Sequence, residues 1–180
     1  LFPDHDVEFF LAMRNPATLI AEVLPVFTGG GYHVLMQGRH PLDLRWRTPI
    51  QALLRAVQGR RVVMWCHEDV PLIWPEVARL VGNIPDDAPL KGAMMYLEEI
   101  LDETGLARLK DALGAQDQFT IARRRALSAQ IMRDHARPAM LDQVIDLPGW
   151  TQEIIDRVTN NYRADVAEIA VLPGVEFLLP

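Results

Sequence analysis

The sequence predicts an α/β fold, a largely parallel sheet with flanking helices, followed by a mostly helical C-terminal half. Three observations predict it. Residues 7–13 and 61–66 form two short, apolar, strand-like runs. Both are apolar throughout rather than at every second position, which suits strands covered on both faces as in parallel sheets. Each run ends in a polar junction that opens a helical pattern, the grammar of a crossover unit.

VEFFLAM, residues 7–13, is the first expected strand, and PATLIAEVL follows it with Pro16 at a first helical position. TGGGYH at 28–33 reads as a loop, because its glycines do not stand between a strand and a helix. TPIQALLRAVQG, residues 48–59, has the cap, the proline and the terminating glycine of a short helix. RVVMWC at 61–66 is the second strand, and PLIWPEVARLVG after it predicts a helix with Pro75 in the first turn and Gly82 as its stop. From Leu90 the pattern turns helical: two short helices in GAMMYLEEILDETGLARLKDALGA, then a longer one with Ile121, Leu127 and Ile131 on an apolar stripe. One or two more helices follow Thr151, a residue placed to cap, and the chain ends in an extended VEFLL.

Two strands do not make a stable covered sheet. Further strands are therefore expected before Leu1 or within segments that read otherwise. The first residue is leucine, and residues 1–180 are expected to form a single α/β domain or the C-terminal part of a longer one. Within it, 1–89 is the strand/helix part and 90–180 the helical part.

Hydrophobic residues make up 49% and charged residues 23% of the chain, the balance of a packed globular protein. A net charge of −6 gives no basic field for non-specific nucleic-acid binding. Cys66 is the single cysteine, which excludes an intrachain disulfide and a cysteine-built zinc site. Its apolar setting predicts a buried thiol. No apolar stretch approaches the roughly 20 residues of a membrane span, and LFPDHD lacks the layout of a signal peptide, so a cytoplasmic protein with no membrane partner is expected. Trp65, Trp74 and Trp150 read as core anchors, and Trp46, between Arg45 and Arg47, as half-exposed.

Chemistry concentrates at the two strand exits. Open α/β sheets bind ligands beyond the carboxyl ends of their strands, where helix N-termini present N–H groups to anions. Arg14-Asn15-Pro16 stands at the first exit, and an arginine there can grip a phosphate through two parallel hydrogen bonds. The plainer alternative pairs Arg14 with a nearby carboxylate. At the second exit, His67 with its acidic neighbours has the makings of a general base. His67, Glu68 and Asp69 as a divalent-metal trio would need a turn, since successive residues of an extended segment point in alternating directions. Glu68 and Asp69 otherwise read as capping the next helix. Arg123-Arg124-Arg125 is the densest basic run. Three successive helical residues span about 200°, so a solvated face pairing with acidic neighbours is expected of them.

VEFFLAMRNPATLI resembles the strand–arginine–proline–helix element of the sulfotransferase superfamily, and VVMWCHEDVPLIWPEVARLVGNI resembles its later strand and Glu-Asp element. More narrowly, WCHEDVPLIW, DLPGWT and PGVEFL resemble a group of bacterial sulfotransferase-like proteins. The superfamily resemblance covers about residues 1–85, and the narrower one reaches the C-terminus. It implies a P-loop-type fold that binds 3′-phosphoadenosine 5′-phosphosulfate and transfers its sulfuryl group to a hydroxyl of a small molecule or glycan. It also implies that Arg14, with Asn15 beside it, contacts the nucleotide 3′-phosphate. No motif of the family places His67; the residues themselves make His67 and Glu68 the expected catalytic pair lining that site, with His67 as base for the acceptor hydroxyl. Two departures stand out. The family's serine eight residues after the arginine is here Glu22, which would repel a phosphate. No Gly-rich, basic strand–helix junction precedes Val7. A non-catalytic nucleotide-binding or interaction module on the same scaffold is the competing expectation.

Overall fold

The computed structural model describes residues 5–57, 59–115, 120–141 and 144–180. In chain order these hold β1 (Phe9–Met13), α1 (Pro16–Val23), α2 (Tyr32–Met36), α3 (Arg47–Val57), β2 (Val62–Cys66) and α4 (Val70–Gly82). Then come α5 (Met95–Ile100), α6 (Glu103–Gly114), α7 (Ile121–His135), α8 (Pro138–Leu141), α9 (Gln152–Ile169) and β3 (Val175–Leu178). The fold is α/β, predominantly helical with a small three-stranded parallel sheet. Two compact units make up the chain: Leu1–His67 with Val144–Leu178, and Glu68–Gln143 with Leu179–Pro180. α9 and β3, from the helical part of the sequence, belong to the unit that holds the sheet.

The sheet lies in the first unit, in the order β1-β2-β3 with both pairings parallel. All five residues of β2 are buried, the environment its unbroken apolar run implies. β1 differs from expectation: it is shorter, lies at the edge, and is half-buried with Ala12 exposed. The third strand is the terminal extended segment, with Val62 opposite Val175 and Trp65 opposite Leu178. Arg61 helps set this register at the amino end of the sheet. Its guanidinium donates to Glu176 at 2.9 and 3.1 Å and to Glu8 at 3.0 Å.

α9 is one 18-residue helix, with Thr151 accepting the Ile154 N–H at its start. Val158, Tyr162, Asp165 and Ile169 are its buried residues. Tyr162 and Ile169 join Met13, Ile50, Val62, Met64 and Cys66 in one core, each large side chain contributing about 1.5–3 kcal/mol of burial. Ile20, Met36 and Leu147 form a smaller core, against which Trp150 packs while its indole N–H donates to the Tyr32 hydroxyl at 2.6 Å.

In the second unit α4 begins directly from a 3-10 turn at His67–Asp69. Pro71 therefore takes the first turn, and Pro75 lies inside the helix, where it removes a hydrogen bond to the carbonyl four residues back. The helix ends on Asn83 in the left-handed conformation (φ 48°), with Gly82 still helical. Asp69 holds the N-cap position without a side-chain capping bond. Leu97, Leu101, Leu109 and Ile131 build this unit's core, with Leu127 packed on it. Ile121 is exposed, so the expected stripe on α7 begins a turn later. α6 and α7 approach closely because residue 105 is glycine: a Cβ there would collide with His135.

Candidate functional site at the strand exits

Met13 stands opposite Cys66 in parallel register. The next residues, Arg14 and His67, therefore leave the sheet side by side at its carboxyl end. His67 is exposed, whereas the Arg14 side chain is only 18% exposed. Glu68, the first residue of the second unit, is exposed in its 3-10 turn.

The Arg14 guanidinium is paired with Glu22, whose side chain is 57% exposed. The residue that read as a deterrent to phosphate is the arginine's own counter-ion. Asn15 is engaged on both ends of its amide: Oδ1 accepts the Ala17 N–H at 3.1 Å, and Nδ2 donates to Thr159 Oγ1 at 2.9 Å. That is the work of an N-cap ahead of proline. It also removes donors from the end of α1, since Pro16 has no N–H and the Ala17 N–H is taken.

Residues the sequence did not single out fix the exit geometry. The main-chain carbonyls of Met13 and Arg14, at the edge where the ladder ends, accept the Tyr162 hydroxyl at 3.4 Å and the Trp46 indole N–H at 2.8 Å. Trp46, half-buried as expected, is itself held by Asp165, whose Oδ2 accepts its backbone N–H at 2.7 Å. Arg45 donates to the same carboxylate from Nε at 3.0 Å to both oxygens and from a terminal nitrogen at 2.6 Å. Asp165 is 0% exposed. Its hydrogen bond, with the pair's attraction, raises the Arg45 pKa above its ordinary value. One signal could have found Asp165: it interrupts the helical spacing of Val158, Tyr162 and Ile169, a charge in a stripe of core positions.

The arginine run pairs with an acidic neighbour, as expected, but only Arg123 of the three is solvated. Arg124 donates to both Glu76 oxygens at 2.6 and 2.7 Å and to the Leu72 carbonyl at 3.3 Å. Arg125 approaches the same carboxylate at 3.8 Å and donates to the Leu179 carbonyl. Both are half-buried, while Arg123 is exposed. Among the described residues no three His, Cys, Asp or Glu side chains stand close enough to hold a metal ion, and no helix is long and apolar enough to cross a membrane. No protein-family model, curated protein or solved structure matches this chain.

Proposed function

We propose that this chain is a sulfotransferase-like nucleotide-binding protein whose sheet end receives the phosphate of a 3′-phosphoadenosine nucleotide. The observation that carries the reading is the parallel register of Met13 with Cys66, which sets Arg14 and His67 together at a carboxyl sheet end. Arg14 fits the phosphate role in charge and position, and its guanidinium exchanges Glu22 for the ligand. Asn15 supports that arginine as the cap of α1 rather than through a free amide. Neither of the strand-to-helix turns at 14–15 and 67–69 is glycine-rich, so these two turns do not fit the phosphosulfate end.

The second reading is transfer of a sulfuryl group, supplied by 3′-phosphoadenosine 5′-phosphosulfate, to a hydroxyl of a small molecule or glycan, with 3′-phosphoadenosine 5′-phosphate as the leaving group. The exposed imidazole of His67 at the sheet end favours it, as the group that would accept the hydroxyl proton.

Calorimetry with 3′-phosphoadenosine 5′-phosphate tests the assignment on the wild type, Arg14→Ala and Glu22→Gln. An exposed ion pair is worth about 0.2–1 kcal/mol, and a like charge near 4 Å in water about 1 kcal/mol. Glu22→Gln should therefore bind roughly 3- to 10-fold more tightly than wild type, and Arg14→Ala should not bind. Silence from both wild type and Glu22→Gln, or unchanged binding by Arg14→Ala, overturns the proposal.

A further inference from the structure

We propose that the first unit carries, apart from the strand exit, a binding pocket for a compact carboxylate: one carboxyl group on a single apolar ring. The pocket holds about 300 Å³ and is lined by Ile20, Leu35, Met36, Gln37, Arg39 and Leu44. Ile20 and Met36 are buried members of the small core, and Leu35 and Leu44 pack on it, so core packing sets the apolar walls. The volume stands at the lower end of the range for small-ligand pockets, which are mostly apolar with a few placed polar groups. Ile20 lies about 200° around α1 from Glu22, so the pocket and the Arg14–Glu22 pair occupy different sides of that helix.

Gln37 and Arg39 are exposed whereas Ile20 and Met36 are buried, so the polar side chains stand on the open side of the pocket and the core forms its floor. Among the described residues neither polar side chain makes a hydrogen bond or an ion pair. Arg39 is the one charged residue of the lining, and Asp43, the carboxylate of the turn that follows, is not part of it. A guanidinium without a counter-ion beside an apolar pocket suits a carboxylate, which it takes through two parallel hydrogen bonds. The backbone sets where these groups stand. Gln37 ends α2 in the left-handed conformation (φ 52°), its N–H on the His33 and Val34 carbonyls. Glycine is the usual residue at such a helix end; among the described residues Asn83 alone shares this positive φ without being glycine. A side chain kept there leaves a carboxamide N–H beside the guanidinium. Gly38 follows at φ 71°, and the Arg39 N–H returns to the Met36 carbonyl at 2.9 Å. Two left-handed residues in succession thus double the chain back over Met36 and bring Arg39 to the lining. His40 Nδ1 then accepts the Leu42 N–H at 3.2 Å, and Asn161 of α9 donates to the Leu42 carbonyl at 3.5 Å. These bonds hold the 3-10 turn at Pro41–Asp43 that delivers Leu44 to the pocket.

Benzoate is the probe, titrated into 15N-labelled protein and followed by amide shifts. For a ligand this small a Kd on the order of 1 mM is expected, with the largest shifts at Leu35, Met36, Gln37 and Leu44. Benzamide, of the same shape without the charge, and acetate, which lacks the ring, should each bind at least roughly tenfold more weakly. Arg39→Gln changes an exposed side chain that has no partner among the described residues. It should stay folded, weaken benzoate roughly tenfold and leave benzamide unchanged. Leu35→Phe fills the pocket from a half-buried position, keeps the arginine, and should abolish benzoate binding. Benzamide as tight as benzoate, either variant binding benzoate like wild type, shifts centred at Arg14 and His67 or elsewhere, or no saturable shift below roughly 10 mM would each overturn the proposal.

Discussion

Replacing Asp165 by asparagine keeps the side chain's shape and removes its charge at a position that is 0% exposed. The carboxylate accepts from Arg45 on both oxygens and from the Trp46 backbone N–H. An amide can present only one oxygen, so its NH2 faces either the guanidinium or that N–H. One or two charge-assisted bonds are lost, each worth about 1.5–3 kcal/mol. Breaking a buried ion pair from one side commonly costs about 3–5 kcal/mol. Here the Arg45 side chain, 37% exposed, can turn to water, which trims the expected cost to about 2–3 kcal/mol. For a chain of this size that corresponds to roughly 5–10 °C in Tm. Arg45→Met should cost more than Asp165→Asn, because it strands a carboxylate that has no route to water, and the double variant should cost less than the sum. Circular dichroism melts of the three variants, with urea midpoints alongside, measure this. Nucleotide affinity should fall in Asp165→Asn, since Trp46 holds the Arg14 carbonyl. A loss below about 0.5 kcal/mol, or Arg45→Met milder than Asp165→Asn, would refute the reasoning.

Two further outcomes are expected. Asn15→Ala removes the α1 cap and the bond to Thr159 and should cost about 1–2 kcal/mol by urea denaturation; Asn15→Asp, which keeps the cap, should recover about half, and no recovery would place the cost elsewhere. Asp102 titrates below the ordinary carboxylate range, chiefly because the Gly105 N–H donates to it at 2.6 Å and secondarily through His135. Its folded pKa is depressed, so its contribution is full above the unfolded value and lost as pH falls through the folded one. The wild-type advantage over Asp102→Asn in urea midpoint should therefore be present near pH 6 and shrink towards about pH 3. A gap that does not change with pH would contradict it.

How much of this was legible in the sequence depends on how local the determining physics is. β2 could be read directly because five consecutive apolar residues suit a strand with no solvent face. Val175–Leu178 could be read as extended, but its place beside β2 could not. It is four residues long, carries Glu176, and finds its partner more than a hundred residues away through Arg61. Pro75 misled because a proline signals a helix start equally well at any first turn, and Pro71 had already taken that place. Asn15 and Arg14 were legible as a junction. Whether the asparagine would cap or touch a ligand depended on Thr159, in α9. Asp165 left a trace as a charge in an apolar stripe, but its partners, Arg45 and Trp46, lie in a segment with no regular pattern to relate them.

Asp165 and Glu22 both neutralise an arginine near the same strand exit, and their difference decides what that exit can do. Asp165 is enclosed and accepts from Arg45 and the Trp46 backbone, so no anion from solution can replace it without stranding a charge. Glu22 is 57% exposed and returns to water at little cost when its arginine turns elsewhere. A phosphate, carrying up to two negative charges, gains more from the guanidinium than one exposed carboxylate does. The Arg14 main chain stays in place meanwhile, because the Trp46 indole fixes its carbonyl. On the proposed reading, exchange at Arg14 would be a change of partner by one side chain over a fixed backbone. Its net gain would be small, so affinity at this end of the sheet would have to come from whatever else the ligand offers. That requirement suits a nucleotide, with its base and ribose, better than an inorganic anion.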